Sequence, residues 1–312
     1  MLVTMMRAVG LKDTFAAMTM AGARVEDVAA DQFNHCVVVW RDPKGGFVLL
    51  DPTWAPLSRY DWSYAEAEQH WVAGTATGET LSITPPLSPG DNKVQVTITS
   101  SLDEKGNLEG ELEASGTGYM DTCLRRWFGF APRREWADLF AGMARAVHAA
   151  GVVTFRKLKP ADIHDLDRPF TTGFGFRALS AVPDAAAPVI TVRPASFSFP
   201  LNEGRISENL TVAKAGGRKR GLRFRCAKQL AYHEQLRLPG KFTLEGWKDI
   251  NVTNAYGSVK ATVRLRKKEL EIEVNAAFAT RSVPVSGLGD YQLLLDALDG
   301  VRNRWVVLRR TK

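Results

Sequence analysis

The chain has 312 residues, of which 45% are hydrophobic and 24% are charged, and its formal net charge is +7. This is the composition of a globular protein, and the length favours two or three domains. Its longest apolar runs, such as 36–40 and 47–50, are far shorter than the roughly 20 residues of a membrane-spanning helix, so no membrane span is expected.

The first ninety residues combine a helix with short strands. Residues 1–9 have the apolar pattern of a helix, and strands are predicted over 15–20, 33–40 and 47–50. This mixture is typical of an α+β domain. Because no N-cap residue precedes the helix, we expect the natural domain to begin upstream of Met1.

A cluster of breakers over 85–90 marks a change of pattern. It contains three prolines and a glycine, and a strand with period-two alternation follows over 94–100. We therefore place a domain boundary near residue 90, between domain 1–90 and a β-rich region over 91–312. Helical periodicity at about 119–150 predicts a helical insertion between the strands of that region.

Strands make up most of the remaining chain. They are predicted over 152–158, 171–181, 189–193, 221–226, 230–238, 258–265 and 270–277, with a helix over 289–298 and a final strand over 305–308. This density of strands favours a β-sandwich-like region, and the fold class is therefore α+β. Four prolines between 183 and 200 are compatible with a further boundary near 185–205.

The positive charge is concentrated in one run, 214–228. A basic run of this kind can bind nucleic acid. Its three glycines in turn-like positions and its single aromatic residue, Phe224, favour a solvated hairpin tip instead. We therefore do not expect nucleic acid as a partner.

The three cysteines, Cys36, Cys123 and Cys226, are widely scattered. There is no C-x-x-C pair and no histidine cluster at zinc-ligand spacing, so we predict no metal site. No phosphate-cradling glycine loop or calcium-type carboxylate cage is present in the sequence, so no cofactor is implied. The cysteine count leaves the redox compartment open, because one disulfide can form in an exported protein.

One predicted hairpin carries candidate chemistry. The segment 42–45, Asp-Pro-Lys-Gly, places proline at the second position of a type I turn and glycine at the left-handed position after it. With this turn Asp42 faces Gly46, so Asp51 lies opposite Val37 and shares a face with His35.

His35 and Asp51 thus become diagonal neighbours at about 7 Å between backbones. At that spacing the carboxylate can accept the imidazole N–H and fix its tautomer. In cysteine and serine acyl-transfer enzymes such an imidazole takes the proton of the nucleophile. The structural alternative is a half-buried strand histidine and a turn-forming aspartate before Pro52 and Thr53.

Residues 33–35, Phe-Asn-His, and residues 47–53, Phe-Val-Leu-Leu-Asp-Pro-Thr, resemble the His and Asp motifs of the transglutaminase-like superfamily. Segment 64–84 is similar to the sequence that follows this core in multidomain bacterial members, and residue 94 onward resembles their C-terminal β-domain of unassigned function. The resemblance implies a fold shared with papain-like peptidases and hydrolysis or transamidation of polypeptide substrates.

By that resemblance His35 would be the general base and Asp51 its orienting carboxylate. The nucleophile of the family is a Cys at the N-terminus of a core helix, where the helix dipole and the imidazolium lower the thiol pKa. Segment 1–11 is similar to the remainder of that helix, so the Cys position would precede Met1. We therefore expect a chain that is N-terminally truncated, lacks the nucleophile and is inactive as it stands. The alternative is a non-catalytic envelope scaffold or protein-binding module.

Two further residues bear on this site. Trp54, with Trp62 and Trp71, follows Asp51 and could line a substrate cleft, although buried packing is the common role of such side chains. Cys36 follows His35 on the same strand, so we expect it on the opposite face, as part of the core. The expected partner is a polypeptide substrate or another protein; the oligomeric state stays open, and only the resemblance suggests a periplasmic or exported location.

Overall fold

The computed structural model of the chain describes residues 1–20, 32–55, 57–60, 66–78, 81–148, 153–159, 162–198 and 218–311. The chain divides into two compact units, Met1–Leu87 and Ser88–Lys312. The division falls within the proline-rich segment 85–90, close to the boundary that the sequence suggests.

The described residues of unit 1 form one α-helix and a five-stranded sheet. Its elements are α1 (Leu2–Ala8), β1 (Thr14–Thr19), β2 (His35–Arg41), β3 (Phe47–Leu50), a 3-10 turn (Pro52–Trp54), β4 (His70–Ala73) and β5 (Ser82–Ile83). The strand order is β3-β2-β1-β4-β5, and all neighbouring strands are antiparallel. The helix and the first three strands agree with the sequence prediction. The last two strands were missed because they are too short for a periodic signal.

One face of this sheet carries the core of unit 1. Its fully buried members are Ala17, Val37, Val39, Trp71 and Ala73, with Phe15, Phe47 and Leu49 packed against them. The rings of Phe47 and Trp71 meet edge to face, with centroids 5.3 Å apart. Trp71 is therefore a core residue, and Trp62 lies outside the described residues.

The largest element of unit 2 is an eight-stranded sheet. Its strands are β6 (Lys93–Leu102), β7 (Leu108–Gly116), β8 (Val153–Lys159), β9 (Thr171–Ala178), β12 (Lys228–Arg237), β14 (Ile250–Asn254), β15 (Gly257–Arg266) and β16 (Glu269–Phe278). They follow the order β14-β15-β16-β12-β6-β7-β9-β8. The pair β12 and β6 is parallel, and the other neighbours are antiparallel.

Two smaller sheets belong to the same unit. The first joins β10 (Val189–Val192), β18 (Val306–Arg310) and β13 (Phe242–Glu245), in the order β10-β18-β13. The second joins β11 (Leu222–Arg223) and β17 (Ser282–Val283). In the basic run, residues 214–217 lie outside the described residues. The ring of Phe224 stacks on Tyr291 with centroids 5.2 Å apart, so the aromatic residue of that run is engaged within the protein.

Helices cover one face of the large sheet. Within the described residues, the helices of unit 2 are α2 (Gly118–Phe130), α3 (Trp136–Val147), α4 (Ala195–Ser198) and α5 (Leu288–Arg302). Helix α3 contacts β8 and β9, α4 contacts β6 and β12, and α5 contacts β14 and β15. Because α4 also contacts both α3 and α5, these three helices form a row over the same face.

The α+β class is confirmed, and α2 and α3 lie between β7 and β8, where the sequence predicts the helical insertion. The layer over the large sheet is helical, so unit 2 differs in this respect from the β-sandwich-like region that we expected. Alternation of buried and exposed residues specifies that a strand has one buried face, but it does not specify what covers that face.

Two other expectations concern the chain as a whole. Residues 185–198 belong to unit 2, whereas 199–205 lie outside the described residues, so a further boundary there stays a prediction. Within the described ranges, no helix combines the length and the apolar character needed to cross a bilayer.

Candidate functional site

The tight turn between β2 and β3 has the geometry that its sequence predicts. Gly45 adopts a left-handed conformation with φ of +88°. The Asp42 N–H donates to the Gly46 carbonyl over 2.8 Å, and the Asp42 carboxylate accepts the Gly46 N–H over 3.1 Å. The ladder pairs Val38 with Leu50, which is the register derived from the turn. Local turn chemistry therefore determines which side chains of this hairpin share a face.

His35 and Asp51 face each other, as this register requires. Nε2 of His35 lies 3.1 Å from Oδ2 of Asp51. The His35 side chain is 27% exposed, whereas that of Asp51 is fully buried. The other carboxylate oxygen, Oδ1, accepts the Thr53 N–H over 2.9 Å, which fixes the orientation of the carboxylate. The contact predicted from the sequence is confirmed, and the catalytic roles of the two residues stay predictions.

The contact through Nε2 decides which imidazole nitrogen can act as a base. An ionised carboxylate only accepts hydrogen bonds, so a neutral His35 ring that bonds to it carries its proton on Nε2. The lone pair then lies on Nδ1. Because the ring is partly exposed, Nδ1 is the atom that could take a proton from a nucleophile.

The surroundings of Asp51 favour its ionised form. Burial by itself would raise the pKa of Asp51, but hydrogen bonds with Glu66, with the hydroxyl and N–H of Thr53, and with His35 outweigh that effect. The pKa of Asp51 is therefore lowered from 3.8. At neutral pH this carboxylate is ionised and can hold the imidazole N–H.

A third ionisable side chain, Glu66, belongs to the site and was missed in the sequence. Its Oε1 lies 3.4 Å from Nε2 of His35, and the residue is 8% exposed. Glu66 lies in the turn before β4, where the buried Thr84 hydroxyl donates to the Glu66 carbonyl over 2.5 Å and accepts the Gln69 N–H over 2.8 Å. No spacing signal marks Glu66, because strand pairing across the sheet brings this turn to the hairpin.

Two groups of side chains in the described part of the chain could ligate a metal. They are His35, Asp51 and Glu66 in unit 1, and His233, Glu271 and Glu273 in unit 2. In each group one ligating atom per residue lies within 4.8 Å of the others. The sequence suggested no metal site because in each group the histidine and the carboxylates come from different elements rather than from one local motif.

Cys36 is the cysteine of unit 1. It pairs with Met18 on β1, whereas His35 pairs with Thr19, so Cys36 lies on the opposite face, as predicted. It is exposed, so our expectation that it belongs to the core is wrong. Met18, its partner on β1, is 39% exposed. The described residues therefore do not cover the sheet face that carries Cys36 and Met18.

The other cysteines, Cys123 and Cys226, belong to unit 2. Cys123 lies on α2 and is half-buried. Burial raises the pKa of the Cys226 thiol to about 11, so this thiol is protonated at neutral pH.

Trp54 ends the 3-10 turn that begins directly after Asp51. Its side chain is half-buried. The Asp51 side chain caps this turn through the Thr53 N–H, so the position of Trp54 follows from that of the carboxylate. Its contribution to a substrate cleft stays a prediction.

No protein-family model matches this chain, and no curated protein matches it. The chain is similar to the crystal structure of a suspected protease from Parabacteroides distasonis, with 9% sequence identity and a TM-score of 0.48. The match covers 95% of this chain and 40% of that one, so the chain spans less than half the length of that protein. A likeness of this degree carries no functional argument.

Proposed function

We propose that unit 1 supplies the acid–base pair of a transglutaminase-like site for thiol acyl transfer on polypeptides. The observation that carries the proposal is the 3.1 Å contact between Nε2 of His35 and Oδ2 of the buried Asp51. The carboxylate holds the imidazole in the tautomer that accepts a proton on Nδ1, and it stabilises the imidazolium that then forms.

The reaction follows from this pair. Nδ1 of His35 takes the proton of a thiol, and the thiolate attacks the carbonyl carbon of a substrate amide. The imidazolium returns the proton to the leaving amine, which leaves an acyl thioester on the nucleophile. Water then gives hydrolysis, and an amine gives transamidation. Since Cys36 lies on the opposite face, the proposed thiol is not that of Cys36, and a Cys upstream of Met1 is the candidate that the following experiment tests.

The test uses the polypeptide extended by the residues encoded upstream of Met1. We expect it to hydrolyse a peptide amide or to attach an amine to a glutamine peptide. His35→Ala should lower kcat/KM by about 10²–10⁴-fold, because the base is lost. The matched control is His233→Ala, which changes a partly exposed histidine of unit 2 and should leave the rate unchanged.

Activity that persists in the His35→Ala protein would contradict the proposal. So would an upstream sequence that carries no nucleophilic side chain at the start of the helix. A third outcome is that residues 1–312 alone are active and that His35→Ala abolishes this activity. The base would then be correctly assigned, and the thiol would lie within the chain.

A second candidate is a non-catalytic module that binds other proteins. The observation that favours it is the position of Cys36, since this cysteine of unit 1 faces away from His35. Under this alternative, residues 1–312 bind a polypeptide partner, and His35→Ala does not weaken that binding. The extended protein then shows no acyl transfer, with or without His35.

A further inference from the structure

We propose that His35, Asp51 and Glu66 form a binding site for a divalent transition-metal ion such as Zn²⁺. Nε2 of His35 lies 3.1 Å from Oδ2 of Asp51 and 3.4 Å from Oε1 of Glu66. In a tetrahedral zinc site with bonds of about 2.0–2.2 Å, neighbouring ligand atoms are about 3.3–3.5 Å apart. The two distances from His35 are therefore close to the spacing that one ion requires, and the three ligating atoms all lie within 4.8 Å of one another.

The donor set and its burial fit the same ion. One imidazole and two carboxylates are ligands that Zn²⁺, Mn²⁺ and Fe²⁺ accept. The Asp51 side chain is fully buried and that of Glu66 is 11% exposed, so two neighbouring carboxylates are held away from water. The hydrogen bond between Asp51 and Glu66 requires a proton on one of the two carboxyl groups, and a dication can take the place of that proton between them.

The residues around the three ligands support a built site. The Thr53 N–H fixes Oδ1 of Asp51 and thereby turns Oδ2 towards His35. The hydroxyl of Thr19 is buried, directly across the ladder from His35 on the same face, and has no hydrogen-bond partner within the described residues. It could donate to a water molecule in the fourth coordination position, which three protein ligands leave open.

Occupancy by a metal has a consequence for the acid–base chemistry. With Nε2 bound to the ion, the neutral imidazole carries its one proton on Nδ1. Nδ1 is then a donor and cannot take a proton from a thiol. Metal binding therefore switches off the base; this consequence rests on the proposed function, whereas the metal site itself does not.

The experiment is a titration of metal-free residues 1–312 with Zn²⁺ against a chromophoric chelator. We expect one tight site, and we expect Glu66→Gln and His35→Ala each to weaken it by at least about 10-fold. The matched control is His233→Ala, which removes the histidine of the partly exposed group in unit 2 and should leave the tight site unchanged. Equal affinities in the wild type and Glu66→Gln would overturn the proposal, as would loss of the site in His233→Ala.

Co²⁺ provides a second measurement that does not depend on activity. Visible absorption bands should appear when Co²⁺ binds the wild-type chain, and they should disappear in the nearly isosteric Glu66→Gln protein while its far-ultraviolet circular dichroism is unchanged. Identical cobalt spectra in the two proteins would also overturn the proposal. If the chain binds metal but the extended protein shows no acyl transfer, the proposed function is refuted and the metal site is not. If the extended protein shows acyl transfer but the chain binds no metal, the metal site is refuted and the proposed function is not.

Discussion

Glu234 shows how one buried residue links two layers of unit 2. It lies on β12 and is fully buried. Its Oε1 accepts the Ser100 hydroxyl and the Ala195 N–H, each over 3.2 Å, and its Oε2 accepts the Ser196 N–H over 2.8 Å. Since Ala195 and Ser196 begin α4, the carboxylate satisfies N–H groups that lack a partner within that helix.

The ionisation of Glu234 should make stability depend on pH. Burial raises the pKa of Glu234 above 4.5, although the hydrogen bonds from Ser196, Ala195 and Ser100 oppose this. A folded-state pKa above the unfolded value gives stability that is complete below about pH 4.5 and is lost as pH rises through the folded-state pKa. We therefore predict that the free energy of unfolding of the wild type, relative to Glu234→Gln, declines as pH rises above 4.5.

Urea unfolding at several pH values measures this difference. The matched control is Glu113→Gln, which makes the same change at an exposed glutamate on β7. A constant difference between the wild type and Glu234→Gln across the pH range would show that the buried carboxylate is as readily ionised as an exposed one.

At the scale of elements, a buried ion pair attaches the helical insertion to the rest of unit 2. On α2, Nε of Arg125 donates to Oδ2 of Asp121 over 2.9 Å, and both side chains are fully buried. The guanidinium also donates to the carbonyls of Ile163 and Arg168, and Oδ1 of Asp121 accepts the Phe170 N–H over 2.6 Å. These hydrogen bonds are what allow two charges to be buried without a large cost.

We predict that Arg125→Met lowers the free energy of unfolding by about 3–5 kcal/mol, because it leaves the Asp121 charge buried without its partner. Urea denaturation at neutral pH measures the effect. The same substitution at Arg134, whose side chain is 84% exposed, should cost less than about 0.5 kcal/mol. Similar losses in the two variants would mean that the ion pair does not support the insertion.

At the scale of the whole molecule, the chain consists of two compact units. The core of unit 1 includes Val39, which is completely buried between neighbouring strands. Unit 2 buries its own apolar side chains between the eight-stranded sheet and the row of helices. Compact units of one chain can unfold separately.

We predict that Val39→Asp unfolds unit 1 and leaves unit 2 folded, because a buried, unpaired carboxylate is costly in the core of unit 1, to which Val39 belongs. Calorimetry should then retain the thermal transition of unit 2, and residues 88–312 alone should melt at the same temperature. Val39→Ile, which keeps the site apolar, is the control. Loss of every transition in Val39→Asp would show that the two units fold as one.

The sequence by itself determined what depends on neighbours along the chain. The turn at 42–45 and the period of two in the flanking strands place His35 beside Asp51, because both signals act over a few residues. Alternation and helical periodicity likewise gave the α+β class and the insertion between β7 and β8. The short β4 and β5 contain too few residues for either signal to be read.

Only the tertiary structure decided what depends on distant pairing. It brought Glu66 to the hairpin through the turn before β4, and it joined β12 to β6, where Asn92 donates to the carbonyl of Ala227, 135 residues later. It also covered the large sheet with helices. The pattern of a strand shows that it has a buried face, but the identity of the partner on that face depends on contacts throughout the folded chain.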